Sequence, residues 1–209
     1  MRCQNKLSLP NLRALLTAGL LALISLSFGF NQAWSAEKNR LSGVFLVAKP
    51  GLESPQFRRT VILVTQHIQG GTVGVIINRP TSVSLTHIFP GNELLQHRAD
   101  RLHSGGPVSP NSILFLFRSQ KTPEHALHVL DNLYLSQNVP LLAEQMKEPD
   151  TLDRLRVYAG YAGWAPGQLM AEVSRGDWLM VEADTELIFN TDPEQVWDLL
   201  AHSPGGKSI

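Results

Sequence analysis

The sequence predicts a single α+β domain built on a mixed, mostly antiparallel sheet. Two observations support this prediction: short β-branched and apolar runs alternate with turn residues, and hairpins outnumber strand–helix–strand units. The 209 residues include 43% hydrophobic and 17% charged residues, which supplies enough apolar side chains for one core. This composition excludes a disordered or low-complexity chain.

The N-terminal half of the domain is predicted to contain only strands. Residues 44–47 form a short buried strand. Residues 57–66 and 72–78 are β-branched runs whose short connection ends in two glycines, and this pattern predicts a hairpin. Residues 101–104 and 112–118 add two further strands, separated by a turn that contains two glycines and a proline.

Strands and short helices alternate in the C-terminal half. Pro166 opens a helix at residues 167–175, and Gly176 is its natural C-cap. Residues 191–194 (Thr-Asp-Pro-Glu) provide the cap and first turn of a last helix that runs to Leu200. The other predicted elements are one or two strands at 127–135, strands at 154–161, 178–181 and 186–189, and a short helix at 139–147.

The first 35 residues have the pattern of an export signal. Three basic residues and no acidic residue precede an uncharged apolar stretch at residues 14–30. Ala33 and Ser35 then place small side chains at the positions required for cleavage before Ala36. We therefore predict a signal peptide at residues 1–35 and a periplasmic product.

Two alternatives to a cleaved, exported protein stay open. The apolar stretch of 17 residues is at the lower limit for a membrane-spanning helix, so the segment could remain as an uncleaved anchor. A spurious upstream start codon would instead leave a cytoplasmic protein that begins near Leu41. In every case the functional domain is predicted at residues 41–202, and contact with a membrane is expected only through the N-terminal segment.

The charge distribution argues against a nucleic-acid partner. Lys plus Arg (18) balances Asp plus Glu (18) in the whole chain, but removal of residues 1–35 takes away three basic residues. The remaining chain has 15 basic and 18 acidic residues, a formal charge of −3. The sequence has neither a basic patch nor a helix-turn-helix pattern, which are common features of DNA-binding proteins.

The residues that usually carry catalysis or bind metals form no recognisable pattern. Cys3, the single cysteine, lies within the predicted signal, so the domain has no thiolate and no disulfide. His103 and Ser104 are adjacent in a predicted strand and point to opposite faces, which is unsuitable for proton transfer. His125 and His128 are closely spaced, but a strand does not suit a metal site at that spacing. We predict no catalytic residue, metal or cofactor, and favour a non-enzymatic role.

Two glycine-rich segments, at residues 103–108 and 160–168, are the best candidates for a binding surface. The first could expose backbone N–H groups to an anion, and the second opens a helix whose N-terminus favours negative charge. The alternative is a pair of tight turns in which Trp164 packs over backbone glycines. Arg79 follows a strand and is suited to pair with a carboxylate or a phosphate. The candidate ligand-binding residues are Asn78, Arg79, Gly105, Gly106, Gly163, Trp164, Gly167 and Gln168.

Several of these segments carry a resemblance to a known family. They are residues 45–50 (FLVAKP), 57–61 (FRRTV), 74–80 (GVIINRP), 105–108 (GGPV), and 160–164 (GYAGW) with 167–169 (GQL). Their order and sequence resemble the signature segments of the YqgE/AlgH family, over most of the domain. The resemblance implies a single α+β domain with a small barrel-like core flanked by helices. It implies no established reaction or cofactor, and the family's description as a transcriptional regulator comes without a recognisable DNA-binding motif.

The sequence departs from the family pattern at three points. Ala165 stands where the family usually has a glycine, and Met170 stands where it usually has a glutamate, although Glu172 is retained. The export signal is the largest departure, because the resemblance implies a cytoplasmic protein that begins near Leu41.

Three functions are compatible with these observations. The favoured one is an exported, non-enzymatic binding or regulatory module whose glycine-turn surface contacts a protein or a small anion. The second is a small-anion-binding protein or enzyme that uses Arg79 and the two glycine-rich turns. The third is a cytoplasmic transcriptional regulator, which requires the N-terminal extension to be spurious.

Overall fold

The computed structural model describes residues 43–66, 71–96, 98–147, 150 and 153–202, and its elements belong to one compact unit of the chain. The strands are β1 (Val44–Ala48), β2 (Val61–Gln66), β3 (Thr72–Ile76), β4 (Pro80–Ser84), β5 (Arg101–Ser104), β6 (Val108–Arg118), β7 (Ala126–Leu130), β8 (Leu133–Ser136), β9 (Leu155–Trp164) and β10 (Trp178–Glu182). The α-helices are α1 (Leu85–Ile88), α2 (Val139–Gln145), α3 (Gln168–Arg175), α4 (Thr185–Phe189) and α5 (Pro193–Ala201), and a 3-10 helix covers Glu93–Leu95.

The strands form one curled sheet with the order β10–β1–β2–β3–β9–β6–β8–β7, which β4 and β5 join at β9. The pairs within it are antiparallel, except that β5 runs parallel to β9. The curled sheet is a half-barrel with helices beside it. This architecture confirms the predicted α+β class, the mostly antiparallel pairing and the barrel-like core.

Strand β9 is the junction of the sheet. Its residues 155–161 pair with β6 along one edge. The other edge is shared, because residues 158–159 pair with β5 and residues 162–164 pair with β3. Three of the segments that carry the family resemblance, residues 74–80, 105–108 and 160–164, therefore meet along this strand.

The core consists of two hydrophobic clusters. The larger one includes every residue of β1, which explains the continuous apolar run in that strand. Trp197 of α5 closes over it and donates its indole N–H to the carbonyl of Ala48 at 2.7 Å. The second cluster surrounds Phe115 and Phe117 of β6 and includes Leu142 of α2.

Most of the predicted elements are confirmed. Strands β2 and β3 pair as the predicted hairpin, and the run at 127–135 forms two strands, β7 and β8. Helix α3 ends at Gly176, whose φ of 85° and N–H bonds to two helix carbonyls make it the predicted C-cap. Helix α5 begins after Asp192, whose side chain accepts the N–H of Glu194 at 3.0 Å.

The prediction of a strand at residues 186–189 is wrong, because helix α4 spans Thr185–Phe189. The side chain of Asp184 accepts the N–H of Glu186 at 2.8 Å and caps this helix. The segment 186–189 contains only three apolar residues in a row, Leu187, Ile188 and Phe189, which is too short to show the periodicity of a helix or a strand. The capping residue before it determines that a helix forms.

The predicted strand at 57–66 is too long at its start, since β2 begins at Val61. The preceding residues form a turn in which both the N–H and the hydroxyl of Thr60 donate to the carbonyl of Phe57, at 3.2 and 2.6 Å. The sequence pattern also missed β4 and α1. Pro80 is the first residue of β4, a position where its missing N–H is tolerated.

Some predictions fall outside the described residues. They are the export signal at 1–35 and the connection at 67–70 between the hairpin strands. Within the part of the chain that the structure describes, no helix has both the length and the apolar character needed to cross a membrane.

Candidate functional site

Asn78, which follows β3, holds the turn before β2 in place through hydrogen bonds. Its side-chain oxygen accepts the N–H of Val61 at 2.7 Å, and its amide donates to the carbonyl of Arg59 at 2.9 Å. We call residues 56–60 the arginine turn, because Arg58 and Arg59 are exposed on it. Both hydrogen-bonding groups of the Asn78 side chain are thus used to hold backbone in place.

Arg79, the next residue, also binds the arginine turn. Its guanidinium donates to the carbonyl of Gln56 at 2.7 Å and to that of Arg58 at 3.5 Å. Burial of the half-buried guanidinium lowers the pKa of Arg79, and the nearby positive charge of Arg58 lowers it further. Arg79 remains charged at neutral pH, since the ordinary pKa of arginine is far above it.

Arg59 has a carboxylate partner. Its guanidinium lies 2.6 Å from the carboxylate of Asp198 and stacks on the ring of Trp197, 4.2 Å from the centroid. Its backbone φ of 54° lies in the left-handed region, which non-glycine residues rarely adopt. The turn therefore gives two consecutive arginines different surroundings.

Gly105 lies inside the sheet and is not an exposed turn. Its N–H donates to the carbonyl of Ala159 at 2.8 Å, and its carbonyl accepts the N–H of Ile76 at 2.9 Å. A Cβ at this position would lie 2.2 Å from the carbonyl oxygen of Gly160. Glycine is therefore required because two backbones cross here, and the Gly105 N–H is not available to an anion.

Gly106, the next residue, also packs closely against the backbone of β9. It is buried, and a Cβ would lie 2.2 Å from the backbone carbon of Tyr161. Gly160 has a φ of 69° and faces the carbonyl of Gly106. The two glycine-rich segments of the sequence thus meet, but they do so through buried backbone.

Trp164, at the end of β9, belongs to a hydrogen-bonded network around Glu172. Trp164 and Trp178 donate their indole N–H groups to one carboxylate oxygen of Glu172, at 2.9 and 3.0 Å. The amide of Gln168 donates to the other carboxylate oxygen at 3.0 Å, and its oxygen accepts the N–H of Ala165 at 3.1 Å. We call Trp164, Gln168, Glu172 and Trp178 the tryptophan–glutamate network.

The backbone held by this network lies on the surface. We call residues 163–168 the tryptophan turn; of these only Trp164 is buried. Gly167 has a φ of 79° and open space around its Cα, as a left-handed residue before a helix requires. Met170, one turn into α3, has an exposed side chain (37%).

The arginine turn and the tryptophan–glutamate network are neighbours. The ring of Phe57 meets that of Trp178 edge-on, with centroids 5.8 Å apart. The rings of Trp178 and Trp164 are 6.5 Å apart in the same arrangement. The structure therefore links Asn78 and Arg79 to Trp164 and Gln168 through a row of aromatic rings.

A buried polar pair, His103 and Tyr158, was not predicted. The two residues face each other across the parallel β5–β9 pair, with ring centroids 5.4 Å apart. His103 Nδ1 lies 3.1 Å from the carbonyl of Arg101, while His103 Nε2 and the Tyr158 hydroxyl have no hydrogen-bond partner among the described residues. Burial, followed by the charge of Arg156, lowers the pKa of His103 to about 4. Burial also raises the pKa of Tyr158.

The described residues contain no group of three or more His, Cys, Asp or Glu side chains that could hold a metal ion. His128 Nε2 instead lies 2.8 Å from the carbonyl of Asp131, next to the turn between β7 and β8. His125 has a φ of 61°, and its carbonyl accepts the hydroxyl of Ser136 at 2.6 Å. His125 thus lies in the turn before β7, and His128 lies within β7.

The fold and the site define a class of α+β proteins with a curled sheet in which glycine-rich backbone crosses at one central strand. The chain belongs to the family described as DUF179, AlgH-like, whose model matches residues 45–208. This confirms the family suggested by the signature segments.

The chain is 36% identical to a UPF0301 protein of Marinomonas sp. strain MWYL1, over 70% of this chain and 80% of that protein. It is 34% identical to a UPF0301 protein of Myxococcus xanthus, over 80% and 92% of the two chains.

Two solved structures have the same fold. The solution structure of the AlgH protein from Pseudomonas aeruginosa superimposes with a TM-score of 0.63 at 30% identity, covering 77% of this chain and 87% of that one. The crystal structure of protein DIP2367 from Corynebacterium diphtheriae gives a TM-score of 0.66 at 28% identity, covering 78% and 87%.

Proposed function

We propose that this chain is a non-enzymatic binding module that acts after export and contacts a protein partner through the tryptophan turn. One observation carries the proposal: a hydrogen-bonded network of two buried tryptophans, an exposed glutamine and a partly buried glutamate holds a short, exposed stretch of backbone in a fixed shape. A surface loop that is ordered before binding loses little entropy on binding, which favours recognition.

The polar side chains near the tryptophan turn form hydrogen bonds within the protein. Glu172 accepts three side-chain hydrogen bonds, and Gln168 both donates to Glu172 and accepts from Ala165. A general acid or base needs a free position to exchange a proton with a substrate. The site is therefore better suited to contact a partner than to transform one.

Export is supported by the sequence of residues 1–35, which combine a basic start, an apolar stretch and small residues before Ala36. The remaining chain contains no cysteine, so oxidation of thiols outside the cytoplasm would not affect it. Its formal charge of −3 favours a protein or small-molecule partner over a nucleic acid.

Fractionation of cells followed by N-terminal sequencing of the native protein tests export. We expect a periplasmic chain that begins at Ala36, or a membrane-bound chain if the signal stays as an anchor. A cytoplasmic chain that begins near Leu41 would contradict export and would favour the alternative of a transcriptional regulator in the cytoplasm.

Site-specific photo-crosslinking in cells tests the contact surface. A photo-reactive amino acid replaces Ala165, which is exposed on the tryptophan turn, or Lys121, an exposed control after β6. We expect a discrete crosslinked product from position 165 and none of that size from position 121. No product from position 165, or the same product from both positions, would refute the proposed surface.

The alternative of small-anion binding needs a different set of residues from the one the sequence predicted. The N–H of Gly105 already donates to Ala159, so the first glycine-rich turn does not supply it to a ligand. Arg79 keeps free donors next to Arg58, and these two residues favour an anion site that does not involve the glycines.

A further inference from the structure

The arginine turn brings two positive charges together. The Arg79 guanidinium lies against the turn because it donates to the carbonyls of Gln56 and Arg58, at 2.7 and 3.5 Å. Burial lowers the pKa of Arg79, and the positive charge of Arg58 lowers it further. Like charges destabilise each other, so each of these two arginines disfavours the charged form of the other.

Neither charge is neutralised by a carboxylate in the part of the chain that the structure describes. The ion pairs found there involve other arginines: Arg59, Arg98, Arg118 and Arg175. Arg59 is an internal comparison, since the residue next to Arg58 has both a carboxylate partner, Asp198, and an aromatic ring beneath it. Among the described residues, Arg59 therefore has a carboxylate that neutralises its charge, whereas Arg58 and Arg79 have none.

Both guanidinium groups have hydrogen-bond donors to spare. A guanidinium carries five N–H donors, and Arg79 directs two of them to backbone carbonyls. The exposed Arg58 side chain has no hydrogen-bond partner among the described residues. The remaining N–H groups need an acceptor, and a negatively charged one is preferred.

We propose that Arg58 and Arg79 together bind an oxyanion of the carboxylate or phosphate class. An oxyanion between them cancels the repulsion of the two charges and accepts their free N–H groups. The half-buried position of Arg79 strengthens these hydrogen bonds, because water screens them less than on the open surface. The hydrogen bonds that Arg79 donates to the turn carbonyls already hold its side chain, so binding costs little of its side-chain entropy.

This site goes beyond the protein contact proposed above and does not depend on it. It uses side chains of the arginine turn, whereas the proposed contact uses backbone of the tryptophan turn. Loss of the crosslink at position 165 would leave the anion site standing, and loss of anion binding would leave the crosslink unaffected.

The test is an anion titration of the purified full-length chain at constant ionic strength, with chloride as the balancing ion. Sodium phosphate and sodium acetate are added separately, and the melting temperature and the arginine Nε–Hε signals in NMR spectra are followed. We expect saturable changes with at least one anion. Saturation with phosphate alone assigns a phosphate group as the ligand, saturation with acetate alone assigns a carboxylate, and saturation with both shows that the site accepts either class of oxyanion.

Variants of exposed arginines show whether the effect is local. Arg58→Gln is expected to raise the Kd about tenfold or more, because one set of charge-assisted hydrogen bonds is lost. Arg154→Gln removes the same charge at an exposed position elsewhere and is expected to bind like the wild type. Arg58→Glu supplies a carboxylate to Arg79 within the chain, so it is expected to raise the melting temperature without ligand and to abolish the response.

Two results would overturn the site. One is a wild-type chain that shows no saturable response to either anion. The other is an Arg58→Gln variant that keeps the wild-type Kd, which would mean that any anion effect arises elsewhere on the protein.

Discussion

At the scale of single residues, a carboxylate defines the shape of the surface that we propose as the binding site. One oxygen of Glu172 accepts both indole N–H groups of Trp164 and Trp178, and the other accepts the amide of Gln168. Hydrogen bonds to a charged acceptor contribute more than neutral ones. Glu172 therefore connects helix α3 to strands β9 and β10 and keeps the turn between α3 and β9 in place.

Replacing Glu172 with glutamine tests this role. A glutamine side chain has one acceptor oxygen, so either the two indole N–H groups or the Gln168 amide would face another N–H donor. We expect Glu172→Gln to lower the free energy of unfolding by about 2 kcal/mol. Urea denaturation followed by tryptophan fluorescence measures this, with Glu124→Gln as an exposed control that is expected to change stability little.

If the two variants proved equally stable, Glu172 would not hold the turn, and the argument for a preorganised surface would fail.

His103 predicts a pH dependence of stability. Burial, followed by the charge of Arg156, lowers its pKa to about 4 in the folded chain, while backbone carbonyls and Asp100 oppose this shift. An unfolded histidine has a pKa of about 6.5. Between these values the unfolded chain binds a proton that the folded chain does not, so stability is complete above about pH 6.5 and falls as the pH drops towards 4.

The expected loss over this range is up to about 3 kcal/mol. Urea unfolding between pH 4.5 and 8 measures it in the wild type and in His103→Phe, which has no titrating group at this position. We expect the variant to lose most of the dependence between pH 6.5 and 4.5. An unchanged pH profile in His103→Phe would assign the dependence to other groups.

At the scale of secondary-structure elements, the close approach of the Gly105 backbone to β9 determines how the strands join in the sheet. Gly105 connects β3 to β9 by one hydrogen bond on each side. Gly105→Ala would place a methyl group 2.2 Å from the carbonyl oxygen of Gly160, so two strands would have to separate. We expect a loss of about 4 kcal/mol or more, up to failure to fold, because such overlaps are among the most destabilising changes.

Gly91→Ala is the matched control, since nothing lies within 4 Å of a Cβ at that position. Thermal unfolding of the two variants is expected to give a melting temperature near the wild type for Gly91→Ala and a much lower one for Gly105→Ala. Equal melting temperatures would show that the crossing tolerates a side chain.

Elements that depend on local signals were predictable from the sequence. The hairpin of β2 and β3 and the helices α3 and α5 carry their own turn, cap and periodicity signals. The prediction of a strand in place of helix α4 was wrong because three consecutive apolar residues show no period, and the capping residue, Asp184, lies before them. The parallel pairing of β5 with β9 joins residues about fifty positions apart, and no local signal reports it.

At the scale of the whole molecule, the sequence indicated where the site residues are but not what they contact. Asn78 and Arg79 stood out as polar residues after a strand, yet two of their partners, Arg58 and Arg59, lie in a turn where the pattern predicted a strand. Trp164 and Gln168 stood out beside glycines, but Trp178 belongs to another element and joins them through Glu172 and through the ring of Trp164. Tertiary contacts create these groupings, so their chemistry becomes visible only in the fold.

The charges of the chain divide between its predicted export signal and its domain. The signal carries three basic residues, and the rest of the chain has a formal charge of −3. The exposed Arg58 and the half-buried Arg79 therefore place positive charge on a domain of opposite net charge. Such a local field attracts a small anion at short range without making the whole surface attractive to nucleic acid.

Crosslinking from position 165 in living cells, followed by separation of periplasm and cytoplasm, tests the central claim most directly. It reports the compartment and the contact surface in one measurement. The account predicts one discrete crosslinked product, found in the periplasmic or membrane fraction and absent when the reactive group is at position 121. A product confined to the cytoplasm would contradict export, and the absence of any product from position 165 would contradict the binding surface.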